Sequence, residues 1–361
     1  MKPAGVLPAQ AIEAMFGLGE IAAAVPPVPG QVQPASLDLR LGDRTWRVRA
    51  SFLAGNGHRV ADRLKDFAMH EMDLGPGAVL ETGCVYVVSL MERLALPEGI
   101  AGVANAKSST GRLDLFTRLI TDHGTEFDRI EPGYRGPLYA EISPRSFSVL
   151  VRPGMRLNQV RFRRGRALLD DAALLRLHEE IRLVDDEPHI DGGLGFSVDL
   201  RPSDGAPVGW RAKPHCGLID LDRIGHYDPA EFWDPVLARP GGGIILDPGA
   251  FYILVSREAV HVPPGFAAEM APYLAMVGEF RVHYAGFFDP GFGHAQAGGV
   301  GSRGVLEVRC HEAPFALEHG QVVGRLVYER MAELPDRLYG AGLGSSYQGQ
   351  GLKLSKHFRA V

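Results

Sequence analysis

Six consecutive residues, Lys107-Ser108-Ser109-Thr110-Gly111-Arg112, set two cations beside hydroxyls and unclaimed backbone N–H groups. That combination suits a phosphate chain, which wants positive charge and several donors converging on one set of oxygens. Farther along, Glu141 sits in the run Pro-Leu-Tyr-Ala-Glu-Ile. A carboxylate held among apolar neighbours on a strand is placed to act as general base or acid. Plainer alternatives exist for both features. Ser-Ser-Thr-Gly is also a common turn or helix cap, and a single strand Glu more often faces solvent. Residue types alone leave both readings open.

Other constellations carry less. Cys84, Cys216 and Cys310 lie far apart with no C-x-x-C pair, so neither a disulfide framework nor a structural zinc site is expected, and a reducing compartment fits. His178-x-Glu180 meets half of the zinc deaminase signature, but the required cysteine pair is missing. The pair reads better as the solvent face of a helix. Gly241-Gly242-Gly243 lacks the strand–turn–helix setting of a dinucleotide fingerprint and reads as a loop. His283 lies in a β-type run and reads as a core histidine. No metal ligands are assigned.

The elements that must position these residues are mostly strands. The chain has 361 residues, 45% hydrophobic and 22% charged, with a net charge of -5. That length suits two domains with sizeable cores, and the charge balance argues against nucleic-acid binding by bulk electrostatics. The N-terminus lacks a basic, then apolar, leader, and no stretch approaches eighteen apolar residues, so a cytoplasmic protein without membrane contact is expected. Gly 45 and Pro 26 punctuate short runs such as Val85-Tyr-Val-Val88 and Phe251-Tyr-Ile-Leu-Val255, which predicts a mainly β fold, barrel-like or sandwich. Helical spacing is confined to residues 8–23 and 168–183.

The chain also repeats itself. Ser36-Leu-Asp-Leu-Arg40 returns as Ser197-Val-Asp-Leu-Arg201, Gly83-Cys-Val-Tyr86 as Gly249-Ala-Phe-Tyr252, and Leu96-Pro-Glu-Gly99 as Val262-Pro-Pro-Gly265. Glu131-Pro-Gly-Tyr134 returns as Asp289-Pro-Gly-Phe292, Arg135-Gly136 as Arg303-Gly304, and Gly154 as Gly320. Six landmarks in one order, about 160 residues apart, indicate tandem duplication. The expected organisation is a site-bearing domain at 1–165, a helical linker at 166–189, a degenerate repeat at 190–335 and a polar, Gly-rich tail at 336–361. Ala271 to Val277, counterpart of the Lys107–Arg112 stretch, contains no Ser, Lys or Arg. Counting five residues beyond the matched glycines sets Arg309 opposite Glu141. The second copy then keeps architecture and loses a site. The tail has too few apolar residues to offset its ordering entropy and is expected to order only over a ligand.

These motifs together resemble the dCTP deaminases, enzymes of the dUTPase-like β fold. The resemblance covers Gln33-Pro-Ala-Ser-Leu-Asp-Leu-Arg-Leu-Gly42, Lys107–Arg112, Arg129-Ile-Glu-Pro-Gly-Tyr-Arg-Gly136 through Glu141, and Arg152-Pro-Gly-Met-Arg156. It resumes at Tyr339 and Ser345-Ser-Tyr-Gln-Gly-Gln350, similar to the family's nucleotide-closing tail. The second repeat inserted before that tail resembles a longer bacterial variety. The resemblance implies two tandem dUTPase-like domains and deamination of dCTP to dUTP and ammonia, with Mg²⁺ on the triphosphate and no zinc.

By the same resemblance, Glu141 activates the water, with Ser108 and Arg112 holding that water and Glu141. Lys107, Ser109, Thr110 and Gly111 bind phosphates, Glu131 meets the sugar hydroxyl, and Tyr134 packs on the deoxyribose. Tyr139 and Ala140 offer backbone groups to the base, while Tyr339, Ser346 and Gln350 reach in from the tail. The implied partner is a nucleotide, dCTP with dUTP or dTTP as relatives of it, in a homo-oligomer, a trimer being favoured. Three departures stand out. Ser346 occupies a position where the family often has Lys, Glu131 replaces an Asp, and about eight extra residues lie near Asp122–Asp128.

Two rivals remain at this level. A dUTP pyrophosphatase, or an enzyme doing both steps, is suggested by Glu131-Pro-Gly-Tyr134, although the tail differs from that family's Gly/Phe-rich segment. A non-enzymatic nucleotide-binding regulator would suit the second copy alone.

Overall fold

The computed structural model describes residues 3–201, 205–272, 280–283, 286–340 and 349–360. Two compact units divide the chain. Unit 1 takes Met1–Ala167, Gly217–Ile224 and Met331–Asp336; unit 2 takes Leu168–Cys216, Gly225–Arg330 and Arg337–Val361. Both are mainly β with a few short helices.

Unit 1 begins with β1 (Gly5–Val6), α1 (Ala9–Gly17), β2 (Ile21–Ala23) and β3 (Val32–Gln33). Next come β4 (Ser36–Val48), α2 (Val60–Phe67), β5 (Ala68–Asp73), β6 (Ala78–Leu80) and β7 (Val85–Ala95). β8 (Ile100–Ala106) leads through α3 (Ser108–Gly111) to β9 (Leu115–Thr121), β10 (Arg129–Ile130) and β11 (Arg135–Pro144). β12 (Val149–Val151) and β13 (Arg156–Arg164) follow. The sheet order is β10-β8-β13-β4-β7-β11-β9, with β5 also on β4. β4 serves both halves, pairing β13 through its first residues and β7 and β5 through its last. It shifts register between Leu41 and Thr45. Gly42 lies at that bend, where a Cβ would come 2.6 Å from Ser89 Oγ and 2.9 Å from Ser89 O.

Unit 2 starts with α4 (Asp171–Ile181), β14 (Leu194–Ser197) and β15 (Gly209–Ala212). Short β16 (Ile219–Asp220) belongs to unit 1, pairing with β12. The rest of unit 2 is α5 (Pro229–Phe232), β17 (Trp233–Val236), β18 (Gly243–Leu246), β19 (Phe251–Val260) and β20 (Phe266–Pro272). Then come β21 (Phe280–His283), β22 (Phe287–Phe288), β23 (Ser302–Cys310), β24 (Phe315–Glu318) and β25 (Val322–Arg330). Its sheets run β14-β25-β20-β22 and β17-β15-β19-β23-β21. Strand for strand this is unit 1's order, with the continuous β4 replaced by β14 and β15. The turns correspond as well. Gly83 and Gly249, at φ 82 and 72, each donate to the carbonyl ending the neighbouring strand segment, Pro144 and Cys310. The hydroxyls of Tyr86 and Tyr252 each accept the N–H five residues upstream, at Glu81 and Asp247.

Strand pairing corrects one sequence alignment. Tyr86 pairs with Ile142 and Val87 with Glu141, while Tyr252 pairs with Val308 and Ile253 with Glu307. Glu307, not Arg309, therefore holds the position of Glu141. Counting from the matched Arg-Gly pairs fails because those dipeptides are not in equivalent register. Both strand pairs slip by an irregularity near that end, between Pro137 and Tyr139 and between Val255 and Ala259. A tally of identical residues does not see the slip; backbone pairing does.

Apolar faces define the cores. On β11, Leu138, Ala140 and Ile142 are fully buried on one face, and the period of two sends Tyr139 and Glu141 to the other. α4 is capped by Asp170, whose carboxylate accepts from the Ala173 N–H, and it sinks Leu174 and Leu177 into unit 2's core. His178, in its last turn, accepts from the Leu183 N–H.

Of the expected nucleotide-closing tail, residues 341–348 lie outside the described residues, and the end beyond them is packed on unit 2. Leu354 and Phe358 are buried, and the Phe358 ring lies 5.4–6.3 Å from those of Tyr227, Phe232 and Trp233. Two well-placed apolar anchors do what overall composition would not suggest. Among the described residues, no helix is long and apolar enough to cross a membrane.

Candidate functional site

Glu141 stands in the middle of a row that crosses the unit 1 sheet. Trp46 on β4 pairs with Val87 on β7, Val87 with Glu141 on β11, and Glu141 with Arg118 on β9. Cross-strand neighbours lie about 5 Å apart and share a face, so Arg118 and Glu141 meet. The Arg118 Nη2 and Nε atoms donate to Glu141 Oε1 at 2.5 and 3.2 Å. The carboxylate is only 1% exposed and Arg118 is 24% exposed.

Arg118 is itself held. Its Nη2 donates to Ser51 Oγ at 2.9 Å, and its guanidinium lies 3.5 Å from the Phe127 ring centre and 4.6 Å from that of Phe116. Phe127 comes from the extra segment beside the expected base pocket. That segment is anchored by Asp122 accepting from Val60 N–H and Asp128 accepting from Leu119 N–H. The same sheet face carries an apolar cluster of Trp46, Phe52, Val60, Leu64, Val87 and Ile120, with Tyr139 and Phe127 packed against it. Glu141 Oε2 is buried and has no hydrogen-bond partner among the described residues. An unmatched buried acceptor costs about 1–3 kcal/mol, so this oxygen is available to a ligand.

The Lys107–Arg112 motif forms α3 and its flanks. Thr110 and Gly111 N–H groups donate to the Lys107 carbonyl, and Arg112 N–H donates to that of Ser108. Ser109, Thr110, Gly111 and Arg112 are buried. The turn is tied to the strand bearing Glu141 through Asp114, which accepts from Ser146 Oγ at 2.6 Å and whose carbonyl accepts from Arg145 N–H. The Lys107 ammonium bonds to Asp38 at 2.5 Å, with Arg156 3.4 Å from the same carboxylate. Neither Ser108 nor Arg112 bonds to Glu141; that task falls to Arg118.

The remaining expected residues are spread more widely. Glu131 is 62% exposed and pairs with Arg129 at 2.8 Å. Tyr134 donates from its hydroxyl to the Pro137 carbonyl at 2.6 Å and accepts from Asp122 N–H, and burial pushes its phenol well above the usual range. Burial also raises Tyr139. Tyr139 and Ala140 lie within the ladder, opposite Ser89 and Val88 on one side and Ile120 and Leu119 on the other. Tyr339 and Gln350 belong to unit 2. There the Tyr339 N–H donates to the Pro290 carbonyl at 2.7 Å, its ring lies 5.7 Å from Phe292, and Gln350 donates to the Arg303 carbonyl at 3.2 Å. Ser346 lies outside the described residues. Among the described residues, no group of three or more His, Cys, Asp or Glu is placed to hold a metal.

A duplicated antiparallel fold with a clamped, buried carboxylate on one sheet face marks a class of mainly β, two-domain proteins with an acid set into the unit 1 sheet. The comparisons narrow it. Residues 3–166 match the 2'-deoxycytidine 5'-triphosphate deaminase N-terminal domain, and residues 170–358 match that family's C-terminal domain. A crystal structure of 2'-deoxycytidine 5'-triphosphate deaminase from Agrobacterium tumefaciens is 58% identical. It covers 91% of this chain and 99% of that one, with a TM-score of 0.88. A Kocuria rhizophila relative named "dCTP deaminase, dUMP-forming" is 32% identical over 177 residues, 45% of this chain and 85% of the relative. A Halorubrum lacusprofundi "dCTP deaminase" is 31% identical over 137 residues, 37% of this chain. The match spans 64% of that relative's length. The chain belongs to the dCTP deaminase family, in a long form with two related domains.

Proposed function

We propose that the chain hydrolyses dCTP to dUTP and ammonia in unit 1, with Glu141 as the proton-transferring group. The observation that carries this reading is the division of labour on its carboxylate: Oε1 is clamped by Arg118 while buried Oε2 has no partner among the described residues. Oε2 accepts a proton from water as the oxygen attacks C4 of cytosine. Glu141 then delivers that proton to N3, forming a tetrahedral intermediate. A second proton passes from the added hydroxyl through Glu141 to the amino group, and the C4–N4 bond breaks to release ammonia. The product retains a proton at N3 and a carbonyl at C4, so water and dCTP account for every atom.

Ser108 and Arg112 orient the water, and Lys107, Ser109, Thr110 and Gly111 receive the triphosphate with its Mg²⁺. Glu131 and Tyr134 face the sugar, and Tyr139 and Ala140 face the base. Three chains form the assembly, in the cytoplasm. A second reading, continued hydrolysis to dUMP, is favoured by the names of curated relatives described as dUMP-forming.

Incubating the purified chain with dCTP and Mg²⁺ and resolving dUTP, dUMP, pyrophosphate and ammonia separates the two. Ammonia with dUTP supports single-step deamination; ammonia with dUMP and pyrophosphate supports the two-step reading; no ammonia removes both. Glu141→Gln is expected to lower turnover by about 10²–10⁴-fold while dCTP still binds. A variant turning over near the parental rate removes Glu141 from the mechanism.

A further inference from the structure

Two buried hydroxyls of unit 1, Ser143 Oγ and Thr45 Oγ1, have no hydrogen-bond partner among the described residues. They lie on opposite faces of the sheet. β11 pairs with β9 without a register shift, from Leu138 opposite Thr121 to Pro144 opposite Leu115. The period of two therefore holds along it, and Ser143 shares the face of Tyr139 and Glu141. Thr45 pairs with Val88, which pairs with Ala140. It therefore shares the face of Leu138, Ala140 and Ile142 and belongs to the core.

Ser143 is 4% exposed. Its neighbour on β9 is Phe116, whose ring lies against the Arg118 guanidinium, and Val87 stands beside Glu141 on β7. Phenyl and isopropyl groups give a hydroxyl nothing to bond to, and an unmatched buried hydroxyl is worse for stability than Ala. Packing does not call for Ser there. The face that carries it also carries the second open oxygen, Glu141 Oε2.

Two residues along a strand cover about 7 Å. The Glu141 side chain reaches across part of that span, and one water with bonds of about 2.8 Å bridges the rest. Such a water donates one hydrogen to Oε2 and the other to Ser143 Oγ. One lone pair accepts from Ser108 or Arg112, and the second is left to aim at C4 of the base. We propose that Ser143 is a further residue of the deamination site, fixing one hydrogen of the attacking water while Glu141 takes the other. As the oxygen bonds to C4, one proton passes to Oε2, and the second stays on the new hydroxyl against Ser143. The inference rests on reading Glu141 as the proton acceptor.

Ammonia release from dCTP and thermal melting, measured on the full chain and on Ser143→Ala, Ser143→Thr, Thr45→Val and Glu141→Gln, test it. In Ser143→Ala, kcat should fall at least about tenfold, the worth of one hydrogen bond made in the transition state. KM should stay within about twofold of the parent, since the substrate itself loses no contact. The same variant should melt at or above the parental temperature, because an unmatched hydroxyl has gone. Ser143→Thr should restore most of kcat, and Thr45→Val should keep it. Parental kcat in Ser143→Ala beside an inactive Glu141→Gln overturns this inference alone. A loss that Thr does not restore, or one that Thr45→Val shares, is a packing effect and overturns it as well. If Ser143→Ala melts well below the parent, rescue by Ser143→Thr decides. Turnover kept by Glu141→Gln, or no ammonia from the parent, overturns the reading of Glu141 and this inference with it.

Discussion

Replacing Arg118 by Met keeps an apolar stem of similar length on Phe127 and removes only the guanidinium. The structure sets the size of the effect. Glu141 loses bonds at 2.5 and 3.2 Å while remaining 1% exposed. Stripping one partner from a buried ion pair costs about 3–5 kcal/mol, because the surviving charge is left in a poor solvent. Arg118 is 24% exposed, so water reaching the vacated space brings the expectation to the low end, about 3 kcal/mol. Losing the cation–π contact adds about 0.5–1 kcal/mol, which the Met side chain partly replaces. The assay is a double-mutant cycle on unfolding by urea. Arg118→Met should cost about 3 kcal/mol in the parent and under about 1 kcal/mol beside Glu141→Gln, where no charge is stranded. Turnover of dCTP should fall at least about tenfold, since Oε1 is no longer held and the carboxylate turns freely. Arg118→Lys restores charge without the planar fork and should fall between the two. Equal costs in both backgrounds, with parental turnover, would refute the clamp.

Other expectations follow from separate parts of the molecule. Phe358→Ala should destabilise unit 2 by about 3 kcal/mol, the lower end for a buried aromatic, and an unchanged melting curve would show that the chain's end is not integral to the unit. Desolvation holds His261 and His294 below the ordinary imidazole range; repulsion from His294 adds to the effect at His261, and Asp185 opposes it. Their folded forms refuse protons that the unfolded chain accepts, so stability is intact above about pH 6.5 and declines as pH falls below it. Melting temperature should therefore drop between pH 7 and pH 5.5, and His261→Gln should flatten that slope; an equally steep slope in the variant contradicts the assignment. Exhaustive treatment with a zinc-selective chelator, with Mg²⁺ replenished, should leave dCTP turnover unchanged, because no cysteine pair accompanies His178-x-Glu180. Activity restored by zinc alone would reverse that expectation.

Local information was enough for a good part of this protein. Short β-branched and aromatic runs between glycines and prolines can only be strands and turns, and the repeated landmarks mark two copies of one pattern. Gly83 and Gly249 are legible because a left-handed turn leaves glycine as the residue of choice. Glu141 is visible as a candidate because an acid inside an apolar strand is physically expensive, but residue types alone leave it open whether it faces solvent. None of these requires knowing which strand lies beside which.

Whatever depends on that pairing came only with the tertiary structure. Arg118 is 23 residues from Glu141, and nothing in its immediate neighbours marks it. β9 must lie against β11 in one register before the two side chains meet. A slip of one residue would send Arg118 to the opposite face. Ser51 and Phe127 enter for the same reason, from segments that gather only when the sheet forms. Register also moved the counterpart of Glu141 from Arg309 to Glu307, since irregular pairing in both copies displaces the residue count from the backbone alignment. Phe358 likewise looks isolated in a polar tail until folding brings Tyr227, Phe232 and Trp233 around it. Composition and spacing are properties of neighbours along the chain. A clamped carboxylate and a docked terminus are properties of neighbours across it, decided by hydrogen-bond register and by which apolar faces close on each other.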